Sequence, residues 1–394
     1  MTPVLNEYLI KNGTVLSVFD GTEQKLDIRV ADGIVTELAP SLAANEGEEV
    51  IDASGLLLTT GWVDVHTHIG VIEPFRGTHL GLNPYDQTLT QGITYVLEPG
   101  TAGPQNYEEY RRDVRYRSDV RYRAFLNIAR YGINVGVMDT TCAEDVDDAG
   151  AEAVYTRYRG ELCGLKARID AKFCFDSAYV MEHMRELADR LGVPMLIHAP
   201  RCDKSIEFVL SYLKAGDTLT HVFAGHTPLM KVVDENGALK RCVIEARERG
   251  VLFDLGHGTN AFSYKVAEDS WAGGFFPDTV STDLWVNNYH GPCYNMAVVL
   301  TKLRGITGLS WAELLRKVTV APAEKYRLTD KALAIVPGAL ADITAFSIDT
   351  GTFVYEDSLG ETRTFSEKLR VHFTCLGSKV YVNTRTDDLG KPAK

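Results

Sequence analysis

The chain has 394 residues, 45% of them hydrophobic, and a formal net charge of −12 at pH 7. This size is enough for one large domain and a smaller one, and acidic charge without a basic stripe argues against nucleic-acid binding. The N-terminus lacks the apolar run of a signal peptide, and no stretch is long enough to span a bilayer, so we expect a cytoplasmic protein without a membrane partner. Seven widely spaced cysteines without a CxxC pair predict free thiols.

Both ends of the chain consist of short β-prone segments separated by turns. Asn-Gly at 12–13 and Asp-Gly at 32–33 each fall between β-rich runs, a pattern that predicts two hairpin turns. The C-terminal part returns to the same texture from ADITAFSID onward. We therefore predict a small β-sandwich domain composed of both termini, residues 1–58 and 332–394.

The middle of the chain, residues 59–331, alternates short apolar runs with charged helical segments, as parallel strands with crossover helices do. Two of the helical segments, SAYVMEHMRELADRLG and LKRCVIEARERG, end at a glycine. Eight βα units over about 270 residues match the size of a (β/α)8 or TIM barrel, although periodicity alone leaves a doubly wound open sheet as an alternative. The eight strand candidates are GWVDVHTHI, ITYVLEPG, YRAFLNIA, LCGLKARI, PMLIHAP, TLTHVFAG, VLFDLGHG and DTVSTDL.

Six residues able to bind a metal or stabilise charge fall at the ends of these strand candidates. Residues two apart in a strand face the same side, so the two histidines of VDVHTHI can point together. In a barrel all six would meet at the C-terminal mouth, where barrel enzymes place their active sites, and imidazole and carboxylate are suitable zinc ligands. The six are His66, His68, Lys166, His198, His221 and Asp283.

Each of these residues has a simpler interpretation when taken alone. A single histidine near an apolar strand is usually a core residue with one satisfied hydrogen bond. Four histidines at the ends of three strand candidates, with an aspartate on a fourth, argue instead for a shared ligand. A lysine inside the apolar run LCGLKARI would normally end the strand or reach to solvent, and burying its charge is costly unless it is neutralised or paired. The position of Lys166 therefore needs a specific reason.

The motifs VDVHTHIG, GLKAR, LIHAP, LTHVFAGH and VSTDL resemble, in order and spacing, those of the amidohydrolase superfamily in its binuclear subtype. The resemblance covers nearly the whole chain. It implies two divalent ions, with zinc as the default and Mn, Co or Fe also compatible, and a Lys166 carbamate, formed with CO2, that bridges them. It further implies a more buried ion held by His66, His68 and Asp283 and a more exposed ion held by His198 and His221.

The same resemblance implies hydrolysis by attack of a metal-bridging hydroxide, with Asp283 as both ligand and catalytic acid–base. The segments EPGTAG, AFLNIA and LFDLGHGTNAFSYKVAE are similar to a deacetylase-like branch formerly labelled dihydroorotase-like, whose members are described as esterases of acetylated α-hydroxy acids such as acetyl-mandelate. This implies cleavage of an ester or amide bond in a small carboxylate-bearing substrate. HAPRCDKS and GHTPLMK depart from the sequences of that branch. Because they lie in loops, where barrel enzymes differ in substrate, the departures weaken the substrate assignment more than the metal-site assignment.

Residues that follow the strand candidates are the candidates for substrate contacts. Arg168 lies on the same strand face as Lys166, and an arginine can bind a carboxylate through two hydrogen bonds. A salt bridge in a loop is the simpler interpretation for Arg201, and a supporting hydrogen bond is the alternative for His257. Trp285 could add an aromatic wall. The predicted contacts are His257, Arg168, Arg201, Asn260 and Tyr289.

Two alternatives to an acyclic ester or amide hydrolase remain, one catalytic and one not. A cyclic amidase of the dihydroorotase or hydantoinase kind would share the metal site, whereas a non-catalytic scaffold typically loses metal ligands, all six of which are present here. The mononuclear deaminase pattern lacks the strand-four lysine. The expected partner is an anionic small molecule, and homo-oligomers are common among such barrels. We place His79, His183, His290 and His372 outside the metal site.

Overall fold

A computed structural model describes residues 4–69, 87–133, 139–383 and 385; His79 lies outside them. The strands are β1 (Glu7–Leu16), β2 (Glu23–Ala31), β3 (Ile34–Ala39), β4 (Glu49–Asp52), β5 (Leu57–Thr60), β6 (Trp62–Asp64), β7 (Ile93–Glu98), β8 (Arg121–Asn127), β9 (Leu162–Arg168), β10 (Met195–His198), β11 (Thr218–Thr220), β12 (Leu252–Phe253), β13 (Asp342–Glu356), β14 (Thr362–Leu376) and β15 (Lys379–Val382). The helices are α1 (Tyr107–Arg117), α2 (Asp148–Arg157), α3 (Ser177–Leu191), α4 (Ile206–Ser211), α5 (Arg241–Glu248), α6 (Tyr264–Ala272), α7 (Met296–Thr307), α8 (Trp311–Arg316) and α9 (Val320–Lys325).

The middle of the chain folds as the predicted barrel. Strands β6 to β12 pair in parallel in their chain order. The eighth predicted strand, 278–284, closes the sheet through two parallel bridges, Asp254 with Thr279 on one side and Thr67 with Leu284 on the other. Because an open sheet would leave both edges unpaired, this closure excludes the doubly wound alternative and gives an α/β TIM barrel.

Strands from both termini form a second sheet in the order β15-β14-β13-β5-β1-β2-β3, with β4 added beside β1. Its own core includes Tyr8, Ile28 and Ile343, while Phe365 and Leu369 of β14 join the core of the barrel. The strands are thus connected as one sheet, and the two facing sheets of the predicted sandwich are not confirmed. The domain boundaries at 58/59 and 331/332 also stay predictions.

Only one of the two predicted hairpin turns forms. Asp32 and Gly33, with φ of 51° and 76°, connect β2 to β3 as expected of this pair. The prediction at Asn12-Gly13 is wrong, because β1 continues through it with a bulge between Ile10 and Gly13. Asn12 adopts the left-handed conformation there (φ 63°) and its backbone N–H donates to the Asp27 carboxylate at 2.8 Å. The left-handed conformation of Asn12 therefore forms part of a β-bulge instead of a hairpin turn.

The helix and cysteine predictions agree with the structure. Helix α3 ends at Gly192 in the left-handed conformation, and α5 is followed by Gly250 with φ of 89°. The basic run near 110–123 begins with α1, where Arg111 and Arg115 both pair with Glu161 at 2.6 and 2.8 Å. All cysteines are free. Within the described ranges no helix is long and apolar enough to cross a bilayer.

Candidate active site

The carboxylate of Asp283 lies at the C-terminal mouth of the barrel with histidine nitrogens around it. The Nε2 atoms of His66 and His68 are 3.4 and 3.3 Å from Oδ1, and Nε2 of His221 is 3.8 Å from Oδ2. His66, His221 and Asp283 offer one ligand atom each, all within 4.8 Å of one another. These atoms are close enough to share one cation, since ligand distances to zinc are about 2.0–2.2 Å.

Two hydroxyl relays determine which nitrogen of His66 and His68 carries a proton. Thr220 donates to Asp254 at 2.8 Å, so its oxygen accepts from Nδ1–H of His66 at 3.1 Å. Thr101 likewise donates to a buried carboxylate, that of Glu98, and accepts from Nδ1–H of His68 at 2.7 Å. Metal-binding histidines are commonly oriented in this way. In the neutral His66 ring the Nε2 lone pair then faces Asp283, whereas His68 donates a hydrogen bond to that carboxylate.

His221 reaches the same state through the main chain. Its Nδ1 donates to the carbonyl of Gly256 at 2.6 Å, which leaves Nε2 unprotonated. That Nε2 is buried and has no hydrogen-bond partner. Two nitrogen lone pairs, on His66 and His221, therefore face the Asp283 carboxylate. All of these nitrogen and oxygen atoms accept hydrogen bonds and none donates one, so a cation between them would stabilise the arrangement.

Burial favours the protonation states that bind a cation. It lowers the pKa of His66 well below its usual value and that of His221 to about 3. Burial alone would raise the pKa of Asp283, but the hydrogen bond from His68 and the charge of neighbouring histidines lower it. His68 differs, because Asp283 and Glu98 raise its pKa despite its burial. Neutral imidazoles and an ionised carboxylate are the forms that coordinate metals.

Lys166 and His198 complete the group at the mouth. Lys166 is 1% exposed, its Nζ has no hydrogen-bond partner, and burial lowers its pKa to about 8. The His198 ring centroid lies 4.3 Å from that of His221, and its Nε2 is 3.5 Å from Asp170, which leaves Nδ1 as its candidate ligand atom. The structure thus brings all six predicted residues to one end of the barrel.

Strained backbone holds two of the six in place. His221 and Asp283 have positive φ values of 65° and 46°, a conformation that non-glycine residues adopt rarely and that active sites use to aim a side chain. Gly256 and Gly258 approach them closely. A Cβ on Gly256 would lie 2.7 Å from Nδ1 of His221, and one on Gly258 would lie 2.7 Å from Oδ2 of Asp283. A side chain at either glycine of DLGHG would therefore collide with His221 or Asp283.

Three buried carboxylates that support the site were not singled out from the sequence. Asp254 accepts from three hydroxyls, including Thr279 and Ser281 at 2.8 and 2.6 Å. Asp64 accepts from the Thr282 hydroxyl at 2.5 Å, beside the turn that carries Asp283. The missed signal was an acidic residue within an apolar run, which needs partners for the same reason as a buried lysine. The three are Asp64, Glu98 and Asp254.

A cleft of about 310 Å³ opens over these residues, and three of the five predicted substrate contacts line it. Arg168 is already held by Asp139 through two hydrogen bonds of 2.6 Å each. Arg201 has its Nη2 3.3 Å from Nε2 of His226, and within the described ranges it forms no ion pair. The structure therefore favours Arg201 over Arg168 as the cation available to a ligand. Asn260 and Trp285 also line the cleft.

The other two predicted contacts lie away from the cleft wall. His257 is fully buried, with Nδ1 2.9 Å from the Gly258 carbonyl and Nε2 3.0 Å from Nζ of Lys302. The turn at the two DLGHG glycines directs its ring onto Phe262, 4.6 Å away. Tyr289 packs beneath the guanidinium of Arg385, 3.8 Å from its ring centre. The structure thus gives His257 the supporting role that was its alternative, as the acceptor of a hydrogen bond from the buried Lys302.

A barrel with histidines, a buried lysine and an aspartate at its mouth is typical of TIM-barrel hydrolases. The sequence profile of the Amidohydrolase family matches residues 57–374, and the chain belongs to this family, as the motifs predicted. It is similar to a deacetylase of Enterococcus faecalis, 28% identical over 96% of this chain and 99% of that protein. The chain is therefore a hydrolase.

Solved structures of the same fold carry different names. One described as an adenine deaminase superposes with a TM-score of 0.84 at 28% identity, covering 95% of this chain and 99% of that one. Another, described as a dihydroorotase, also has a TM-score of 0.84, at 25% identity over 96% and 98%. The fold is thus shared by solved structures with two different names, neither of them that of the deacetylase relative, and the substrate has to be argued from the cleft.

Proposed function

We propose that this protein is a two-metal hydrolase that removes an acyl group, acetyl in the simplest case, from an ester or amide of a small carboxylate-bearing molecule. The observation that carries the proposal is the pair of lone-pair nitrogens, on His66 and His221, that face the Asp283 carboxylate. The names of the deacetylase relatives support acyl transfer to water.

The residues at the mouth fit two cations. His66, His68 and Asp283 would hold one, and His198 and His221, whose ring centroids lie 4.3 Å apart, would hold the second. The Nζ of Lys166, buried without a partner, would carry the CO2-derived carbamate between them. Divalent cations bound here, zinc by default, would supply Lewis acidity to the scissile carbonyl and lower the pKa of a water molecule.

The protein's own groups then perform the remaining tasks. Asp283 is ionised and lies at the base of the cleft, so its carboxylate accepts the proton of the attacking water and returns it to the leaving alcohol or amine. The Glu98 and Asp254 relays keep the histidine rings in one tautomer throughout. Arg201, on the cleft wall, orients the substrate through its carboxylate.

Metal removal tests the proposed chemistry. Protein expressed with added zinc and bicarbonate should contain about two metal equivalents per chain, and a chelator should abolish hydrolysis of acetylated hydroxy and amino acids until metal is restored. Elemental analysis and acetate release are the measurements, with circular dichroism as the control for fold. Hydrolysis that persists without metal would contradict the proposal. Turnover of dihydroorotate or hydantoin alone would point to a cyclic amidase, and ammonia release from adenine to a deaminase.

Replacement of Arg201 tests the substrate class. Arg201→Gln should lower kcat/KM for acetylated carboxylic acids by about 10- to 100-fold, because a charge-assisted hydrogen bond contributes about 1.5–3 kcal/mol. The uncharged methyl esters of the same compounds should be unaffected. Arg241→Gln, an exposed arginine on α5, is the matched control. An equal loss for charged and uncharged substrates would show that Arg201 does not read a carboxylate.

A further inference from the structure

A second cleft, of about 450 Å³, lies at the opposite end of the barrel from the metal site. Its walls include residues at or just before the first residues of three strands: Cys163 in β9, Pro194 before β10 and Asp217 before β11. The active site lies at the other ends of the same strands. The two clefts are therefore separated by the length of the barrel and do not share a ligand.

The second cleft is strongly basic in an acidic protein. Five cationic side chains line it against two carboxylates, those of Asp189 and Asp217, whereas the whole chain has a net charge of −12. A cleft lined by one sign of charge concentrates ligands of the opposite sign. The cationic residues are Arg123, Arg185, Lys214, Lys325 and Arg327.

Both carboxylates of the cleft are already bound to cations in it. Arg185 pairs with Asp189 at 2.8 Å and with Asp217 at 2.6 Å, and Lys214 pairs with Asp189 at 2.7 Å. Lys325 pairs with Asp278 at 3.5 Å. Among the described residues, no carboxylate lies within ion-pair distance of the remaining two guanidiniums, those of Arg123 and Arg327. Two positive charges of the cleft are thus left uncompensated.

The hydrogen-bond donors of the cleft are also incompletely used. Nη2 of Arg123 donates to the carbonyl of Leu162 at 3.0 Å, but its Nε is buried and has no partner. Nε of Arg185 is in the same situation. A buried donor without an acceptor costs about 1–3 kcal/mol. Both of these arginines of the cleft therefore keep donor capacity that the protein does not use.

Arg327 provides a second, independent indication. It follows α9 and holds a left-handed backbone conformation, with φ of 54°, which is unfavourable for arginine and is easily adopted by glycine or asparagine. A side chain with no ion pair therefore occupies a strained position at the edge of the cleft. A need for the guanidinium group to bind a ligand would explain why position 327 is an arginine in spite of its left-handed backbone.

We propose that this cleft is a binding site for a phosphate-bearing small molecule, with Arg123 and Arg327 as the groups that bind its phosphate. Guanidinium groups match tetrahedral oxyanions through paired hydrogen bonds, and two uncompensated cations match a phosphate dianion. The volume exceeds that of inorganic phosphate alone and falls in the range of ligand pockets. The site is separate from the hydrolytic centre and would hold a ligand that is not the substrate.

The test is titration of the metal-loaded enzyme with inorganic phosphate and pyrophosphate by isothermal calorimetry, with chloride at the same ionic strength as the reference. Arg327→Asn removes the charge and suits the left-handed backbone, so it should fold normally and weaken binding about tenfold or more. Arg123→Gln should also weaken binding about tenfold or more. Arg327→Lys should retain part of the affinity, and Arg241→Gln should match the native protein.

Two results would overturn the proposal. One is the absence of phosphate and pyrophosphate binding to the native enzyme. The other is binding of equal strength in Arg327→Asn and the native enzyme, because such binding would belong elsewhere, including the metals at the other end of the barrel. Inhibition of hydrolysis identifies phosphate that binds at the metal site, since such inhibition would persist unchanged in the Arg327→Asn variant.

Discussion

Asp283→Asn should leave the barrel folded and reduce turnover by about 100- to 10,000-fold, the range that a general acid–base typically contributes. Asparagine preserves the shape of the side chain, so the packing beside Gly258 is retained. It cannot accept a proton, however, and it removes the negative charge that faces the lone pairs of His66 and His221. The measurement is kcat at saturating substrate, together with metal content and the thermal unfolding temperature.

The control for this variant is Asp269→Asn. Asp269 lies on α6, pairs with Lys265 and is not among the residues that line the cleft, so its replacement tests the loss of an acidic charge elsewhere and should leave kcat unchanged. Turnover at the native rate in Asp283→Asn would remove Asp283 from proton transfer. Loss of both metals with unchanged unfolding would instead assign its main role to metal binding.

Lys166→Ala should lose metal and activity together, and a short carboxylic acid such as acetate or propionate should restore part of both. The side chain is fully buried with no partner for Nζ, and its pKa is lowered to about 8 by burial, which makes the neutral amine accessible for reaction with CO2. Removal of the side chain leaves space beside Gly100, at the end of the cleft that Lys166 lines. A carboxylate that enters this space can replace the carbamate oxygens.

Lys302→Ala is a closely matched control. Lys302 is equally buried and its pKa is likewise lowered to about 8 by burial, but its Nζ donates to His257 and to the carbonyls of Pro292 and Glu356 at 2.7–3.0 Å. Its replacement should lower the unfolding temperature without rescue by carboxylic acids. If Lys166→Ala retained two metals and full activity, the carbamate assignment would be excluded.

Local pattern predicted the alternating parallel strands and helices and the chemical character of the strand ends, while the closure of the sheet decided for the barrel over an open sheet. Alternation along a strand places His66 and His68 on one face, and the repeated strand–helix rhythm determines which ends of the strands meet. Lys166 was recognisable because a charge in an apolar run needs a partner. The same argument applied to Asp64, Glu98, Asp254 and Lys302 would have identified the supporting network.

The Asn12 prediction shows where local pattern misleads, and His257 shows what local pattern leaves undetermined. Asn-Gly marks a residue pair that tolerates positive φ, and a bulge uses that property as well as a hairpin does. DLGHG marks close backbone approach at Gly256 and Gly258, but the direction of the His257 ring depends on where Lys302 and Phe262 lie. Those two residues are 45 and 5 positions away in the chain.

The sequence by itself determined the fold class, the family and the six residues at the mouth, since periodicity, spacing and side-chain chemistry are properties of the chain. Tertiary structure alone decided which arginine is available to a ligand. Arg168 is neutralised by Asp139 while Arg201 faces His226. It also decided that His66 and His221 present lone pairs to Asp283, and that a basic cleft forms at the opposite end of the barrel. Partners of this kind come from distant segments, and only folding brings them within hydrogen-bond distance.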